Sequence, residues 1–83
     1  MKEVAVIPRT GLDHGTPGLI FKVPNLPERF LPSYKVKLLQ ETYLGKRTKF
    51  NEEKHQYIAI IVDNEIVDIK IKEVRQYGNG LSN

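Results

Sequence analysis

The strongest constraint on the fold is a β-rich stretch near the C-terminus, QYIAIIVDNEIVDIKIKEV, which covers residues 56–74. Two apolar runs flank a central Asp-Asn pair, and both residue types suit the backbone of a tight turn. In the second run Val67, Ile69 and Ile71 alternate with charged residues, and this period of two is typical of a half-buried strand. The stretch predicts an antiparallel hairpin with Val67, Ile69 and Ile71 on one face.

Three further segments have strand character. VAVI (residues 4–7) is β-rich and ends at a proline, and LIFKV (residues 19–23) is stopped by another. SYKVKLL (residues 33–39) alternates apolar side chains with lysines, so we expect a strand there. The overlapping LLQETYLG (residues 38–45) could instead form a helical turn, because its apolar residues also share helical spacing. Eight residues without an N-cap make a poor isolated helix, which favours the strand.

The glycine-rich stretch GLDHGTPGLIFKV (residues 11–23) raises two chemical alternatives. A phosphate-binding loop needs a lysine and a hydroxyl after its second glycine, and then a helix N-terminus. Apolar residues and a strand follow here instead. A metal site would need Asp13, His14 and His55 to converge across the fold, and nothing in their spacing requires it. The stretch is therefore interpreted as a sharp turn that opens a strand.

In this turn Gly15 and Gly18 are expected to supply positive φ, with Pro17 fixing the corner between them. The sequence GTPGLIFKV is similar to the glycine-x-x-glycine-apolar pattern that opens a strand in KOW-like and other SH3-like small barrels. The elements that follow are also in the order of that class: a long loop, the strand YKVKL, the hairpin, and a closing piece, KEVRQY. The resemblance covers roughly residues 4–77.

Five short strands, long loops and no dominant helical pattern predict an all-β fold. We expect a small five-stranded antiparallel SH3-like barrel with a long proline-rich loop, PNLPERFLP, at residues 24–32. Closure into a barrel would remove the exposed strand edges of an open sheet. An 83-residue chain leaves no room for a second core, so residues 1–77 are predicted to form a single domain. Residues 78–83 are predicted to be a flexible C-terminal tail.

Composition excludes several classes of function. The chain contains no cysteine, so disulfides, thiolate zinc sites and cysteine nucleophiles are impossible. Its apolar runs are too short for a signal-peptide core or a membrane span, and we expect no membrane partner. Together these features favour a reducing, cytoplasmic setting. The net charge of +3 is compatible with nucleic-acid binding without requiring it.

No catalytic constellation emerges from the sequence. Ser33 follows a proline without the strand-turn-helix context of a nucleophile, and Ser82 lies in the expected tail. The acidic pairs at Glu52-Glu53 and at the hairpin tip are expected in solvated positions, which do not suit acid catalysis. The interior of a small barrel is also filled by its own side chains. We therefore expect a non-enzymatic binding module with no cofactor and no metal.

The basic residues suggest an interface with nucleic acid or with a nucleic-acid-handling assembly. Two pairs of lysines project from predicted strands, and the loop GKRTKF adds three cations beside Tyr43 and Phe50. Phosphates accept such charges while bases stack on aromatic rings. Lysines on the outer face of strands also protect proteins against aggregation, so these lysines could have that role alone. The predicted nucleic-acid-binding residues are Lys35, Lys37, Lys46, Arg47, Lys49, Lys70 and Lys72.

Two alternatives remain. A protein-binding surface could form on the proline-rich loop, with apolar anchors beside an arginine. Rigid prolines would lower the entropic cost of binding, as expected for a small interaction, inhibitor or accessory protein of bacteria or phages. Its predicted residues are Arg29, Phe30, Leu31 and Tyr34. Alternatively, the chain is one copy in a symmetric assembly whose exposed strand edges mediate contact.

Overall fold

The computed structural model describes residues 1–74, which form six strands and one helix. In chain order the elements are β1 (Lys2–Val6), β2 (Arg9–Asp13), β3 (Thr16–Phe21), β4 (Arg29–Pro32), α1 (Ser33–Leu44), β5 (His55–Val62) and β6 (Glu65–Glu73). The strands make two antiparallel sheets, ordered β1-β5-β6 and β2-β3-β4. The mostly-β prediction is confirmed. Among the described strands none pairs across the two sheets, so the five-stranded closed barrel is not confirmed. The expected tail, residues 78–83, lies outside the described residues.

The hairpin that the sequence predicted most strongly is β5-β6. Asp63 and Asn64 form its two-residue turn with φ angles of 53° and 61°. Left-handed geometry at both positions matches the natural twist of the two strands, which explains the preference for Asn and Asp. β5 is the central strand of its sheet and pairs with β1 on its other side.

An irregularity in β6 corrects one detail of that prediction. Ile60 pairs with Asp68 whereas Ile61 pairs with Ile66, so Val67 is an extra residue on β6. Beyond such a bulge, each residue of the strand points to the opposite face of the sheet from the one that regular alternation would give it. Ile66 is consequently buried, and Val67 is 42% exposed. The expectation that Val67 shares a face with Ile69 and Ile71 was wrong.

The glycine-rich stretch contains a strand that the sequence analysis missed. β2 and β3 form a second hairpin, joined by His14 and Gly15 with φ angles of 50° and 82°. The positive φ predicted at Gly15 is confirmed. Gly18 has no positive φ and serves a different purpose. A Cβ on Gly18 would collide with the backbone O of Leu31 and lie 2.8 Å from Cα of Pro32. This glycine lets β4 approach β3.

Residues 33–44 form α1, so the strand predicted for SYKVKLL was wrong. Pro32 precedes the helix in an extended conformation, and Gly45 ends it with φ 86°. Most residues between these boundaries are good helix formers, and the segment has few β-branched residues to favour a strand. Val36 is buried, while Leu39 and Leu44 pack against the core at helical spacing. Tertiary packing therefore stabilises a helix here, although apolar and polar residues also alternate in its first half.

The core lies between the two sheets and under α1. Phe21 of β3 is fully buried and meets Tyr57 of β5 edge-to-face, with ring centroids 5.3 Å apart. The hydroxyl of Tyr57 accepts a hydrogen bond of 2.9 Å from Nε2 of Gln40 on α1. Tyr57 thus connects both sheets and the helix. The buried core cluster consists of Val6, Phe21, Val23, Tyr57, Ala59, Ile61, Ile66, Ile69 and Ile71.

Candidate nucleic-acid interface

The seven predicted cations lie on three separate elements. Two are on α1, three are on the connection from α1 to β5, and two are on β6. These are Lys35 and Lys37; Lys46, Arg47 and Lys49; and Lys70 and Lys72, respectively. Each group has a different electrostatic environment, which decides whether its charge is available to a ligand.

The two lysines of β6 are already paired within the protein. Lys70 donates to Oε2 of Glu3 at 2.7 Å, and the Nζ of Lys72 lies 3.1 Å from Oε1 of the same carboxylate. The hydrogen bonds from these two lysines lower the pKa of Glu3 below its ordinary value. One carboxylate on β1 therefore offsets one of the two positive charges of this part of β6.

The two lysines of α1 do not share a face. Residues two apart in a helix point about 200° apart around its axis. Lys35 lines a surface cleft together with Arg29 and Leu38, whereas Lys37 lines another cleft with Thr10 and Leu12 of β2. The helix therefore directs these two lysines to different sides.

The connection from α1 to β5 carries the most accessible charges of the predicted set. Lys46, Arg47 and Lys49 are all exposed, and none of them makes an ion pair or a side-chain hydrogen bond within residues 1–74. The segment begins where Gly45 N–H donates to the carbonyl of Glu41 at 3.0 Å, closing the helix. We call Lys46, Arg47 and Lys49 the cationic loop.

The far side of the cationic loop is fixed by aromatic and backbone contacts. Phe50 stacks on Tyr57 with a centroid distance of 4.3 Å and an interplanar angle of 17°. The N–H groups of Lys54 and His55 both donate to the carbonyl of Asn51, at 2.9 and 2.7 Å. In return Asn51 N–H donates to Nδ1 of His55 at 2.9 Å. These contacts hold the segment against the core and leave the three cations facing outward.

The two aromatic residues expected to stack on bases differ in their availability. Tyr43, near the end of α1, is 44% exposed. Phe50 is half-buried and already stacked on Tyr57, so its ring contributes to the core. Tyr43 is thus the better placed of the two for a ligand base.

Two features reduce the positive electrostatic potential around the cationic loop. Glu52 and Glu53 follow in the same connection and are exposed. The C-terminal end of α1 carries a partial negative charge, which cations nearby also neutralise. Stabilisation of the helix end is therefore a second effect of Lys46 and Arg47, independent of any ligand.

Residues 29–32 of the predicted proline-rich loop form β4, and three of the four residues predicted to bind a protein partner make contacts within the fold. Arg29 donates to the carbonyl of Ile66 at 3.1 Å and thereby joins the two sheets. Leu31 packs against the core, and Phe30 is half-buried with its ring over Gly18. Tyr34, on α1, is 64% exposed.

The three residues considered for a metal site, Asp13, His14 and His55, do not lie together. Asp13 and His14 lie 3.6 Å apart on an exposed turn, whereas His55 is buried on β5 in the other sheet. Among residues 1–74 no three His, Asp or Glu side chains gather as metal ligands would.

No helix within residues 1–74 has the length and apolarity needed to cross a membrane. No protein-family model, curated protein or solved structure matches this chain.

Proposed function

We propose that this protein is a non-enzymatic binding module that contacts single-stranded nucleic acid through the cationic loop. The observation that carries the proposal is the exposure of Lys46, Arg47 and Lys49, which make no ion pair within residues 1–74 and follow the exposed Tyr43 by three to six positions in the chain. Cations of this kind neutralise phosphates, and an adjacent ring accepts a base by stacking. The resemblance to SH3-like barrels remains a prediction, and the proposal does not depend on it.

The seven-residue site predicted from the sequence is narrowed in this proposal. Lys70 and Lys72 are left out of the proposed interface because both already contact Glu3, whose negative charge would also repel a phosphate. Lys37 and Lys35 point to different sides of α1 and contribute at most one additional contact. The proposed interface therefore consists of the cationic loop and Tyr43.

The protein-docking alternative has less support. Arg29 and Leu31 stabilise the packing between the two sheets, and Phe30 covers Gly18. Substituting these residues would destabilise the fold, so a loss of binding in such variants would not identify a contact with a partner. The nucleic-acid function is favoured because the side chains of Lys46, Arg47 and Lys49 make no ion pair or hydrogen bond within residues 1–74.

The test is fluorescence anisotropy with labelled single-stranded RNA and DNA at low salt. The loop variant carries Lys46→Gln, Arg47→Gln and Lys49→Gln together. A control variant, Lys22→Gln, Lys70→Gln and Lys72→Gln, loses the same formal charge at side chains that already bond to Leu26 or Glu3. We expect the loop variant to bind at least about tenfold more weakly, and the control to change much less.

Equal weakening in the two variants would show that binding follows net charge rather than the loop. No binding by the unmodified protein at low salt would remove the proposed function. Tyr43→Leu separates stacking from charge, since it keeps the apolar volume but removes the aromatic ring. We expect this variant to lose affinity for single strands while retaining the salt dependence.

A further inference from the structure

β2 is an edge strand whose outer side has no partner within residues 1–74. It pairs with β3 on one side, and none of the other strands described in residues 1–74 adjoins it. An exposed edge presents a row of unpaired N–H and C=O groups, which is a template for another strand. Which residues of β2 present these groups follows from the hairpin geometry.

The two-residue turn at His14 and Gly15 makes its flanking residues, Asp13 and Thr16, a hydrogen-bonded pair. Hydrogen-bonded and non-hydrogen-bonded pairs alternate along an antiparallel ladder, so Gly11 and Arg9 also bond inward to β3. The backbone groups of Thr10 and Leu12 therefore point outward. Pro17, which lies opposite Leu12, fits this pattern because it has no N–H to offer.

The side chains on β2 are arranged for pairing with an identical strand. Arg9 and Asp13 lie on one face at equal distances from Gly11, with opposite charges. If two copies of β2 run antiparallel around Gly11, each Arg9 lies opposite Asp13 of the second copy. Opposite charges in directly facing positions stabilise a strand pair, and like charges destabilise it.

The same register satisfies the backbone. Thr10 of each copy would face Leu12 of the other, and these are the residues whose N–H and C=O groups point outward. Shifting the register by two residues in either direction places neither Arg9 opposite Asp13 nor any other charged pair at the centre. Charge and backbone pairing thus select one alignment.

Gly11 and Leu12 fit this alignment as well. Gly11 would lie on the two-fold axis, in a non-hydrogen-bonded pair where backbones approach to about 4.5 Å. It has no side chain to clash there. Leu12 is 69% exposed in the single chain, although it is an apolar residue in a strand. In the dimer it would pack against Thr10 and, diagonally, against Leu12 of the second copy.

We propose that β2 is a homodimerisation edge, where a second copy of this chain pairs antiparallel about Gly11 and joins two three-stranded sheets into one of six strands. The contact is isologous, since each β2 offers the same residues to the other. The proposal is independent of nucleic-acid binding, because the cationic loop lies on a different connection.

The test is analytical ultracentrifugation of the full chain over a concentration series. The unmodified protein is expected to shift from monomer to dimer. Arg9→Asp and Asp13→Arg alone each place two like-charge pairs in the dimer and should weaken it roughly tenfold. An equimolar mixture of these two variants restores both opposite-charge pairs in a heterodimer, so the mixture should dimerise more tightly than either variant alone.

Two further variants keep the test independent of folding. Thr10→Pro removes an outward N–H without breaking the bonds to β3, so it should abolish the dimer while circular dichroism still shows a folded chain. Glu28→Gln removes the exposed partner of Arg9 within the same chain, 3.3 Å away, and should leave the dimer intact. A monomer at every concentration would overturn the proposal, as would a dimer that Thr10→Pro and the charge variants leave unchanged.

Discussion

The Nζ of Lys70 on β6 lies 2.7 Å from Oε2 of Glu3 on β1, although β5 runs between the two strands. Glu3 pairs in register with Ile60, and Lys70 with Ile58, so the ion pair crosses the central strand diagonally. Ile58 is only 5% exposed, despite lying on the face of the sheet away from the core. The long side chains of the ion pair help to cover it.

We predict that Glu3 stabilises the fold in a pH-dependent way. Its pKa is lowered in the folded state by the hydrogen bonds from Lys70 and Lys72. The stabilisation is therefore present above the ordinary carboxyl pKa of 4.5 and is lost as the pH falls through the lower folded value. Glu3→Gln should reduce the free energy of unfolding at neutral pH, and the difference should vanish in strong acid.

Denaturant unfolding at several pH values measures this effect. Glu73→Gln is the matched control, because Glu73 is an exposed carboxylate on β6 without an ion pair among the described residues. A Glu3→Gln difference that persists at the lowest pH would contradict the account. High salt should also shrink the difference, since the ion pairs are partly exposed.

Gly18 and Gly15 should respond differently to alanine. Gly15 has positive φ but open space around it, so Gly15→Ala should cost about 1 kcal/mol of stability from backbone strain. At Gly18 the added methyl group meets the backbone of Leu31 and Pro32, and we expect a loss of about 3 kcal/mol. Thermal and denaturant unfolding compare the two variants. The close approach of β3 and β4 would be disproved by a Gly18→Ala variant that is the more stable of the two.

Tyr57 should make the protein sensitive to alkali. Burial raises its pKa above the ordinary value of 10. The stability that depends on the neutral phenol is complete below pH 10 and is lost as the pH rises through the raised folded value. Tyr57→Phe should therefore show a shallower alkaline decline in the free energy of unfolding, although it loses the bond from Gln40. Tyr43→Phe, at an exposed ring, is the control and should keep the slope of the unmodified protein.

The bulge at Val67 predicts a contrast between neighbours on β6. Ile66→Ala removes buried methyl groups and should cost about 3 kcal/mol. Val67→Ala should change stability by no more than about 0.5 kcal/mol, because its side chain is partly exposed. If β6 alternated regularly without the bulge, Val67→Ala would cost more stability than Ile66→Ala. Unfolding measurements on the two variants therefore decide whether the bulge is present.

The sequence predicted the β5-β6 hairpin well because turn chemistry and apolar content agree there. Asp63 and Asn64 suit the left-handed turn, and the flanking runs are rich in isoleucine and valine. It did not reveal the bulge, because the choice between Ile66 and Val67 for the core depends on how β6 packs. Two apolar neighbours offer no local signal of which one is buried.

The errors at α1 and β2 have a common physical cause. Residues 33–39 alternate, but they also place Val36 and Leu39 at helical spacing, and packing selected the helix. β2 has the sequence RTGLD, whose Gly and Asp favour turns when considered locally. Pairing with β3 stabilises it as a strand. The cationic loop was identified from the sequence, whereas the pairing of Lys70 and Lys72 with Glu3 required the three-dimensional register.

The most direct test of the proposed function is the salt dependence of single-strand binding by the unmodified protein and the loop variant. Each phosphate contact contributes roughly 0.7 to the slope of log affinity against log salt for single strands. Loss of three contacts at Lys46, Arg47 and Lys49 should therefore flatten the slope by about 2. Such a change would place these side chains on the phosphates. An identical slope for the two proteins would contradict the assignment of the cationic loop as the nucleic-acid interface.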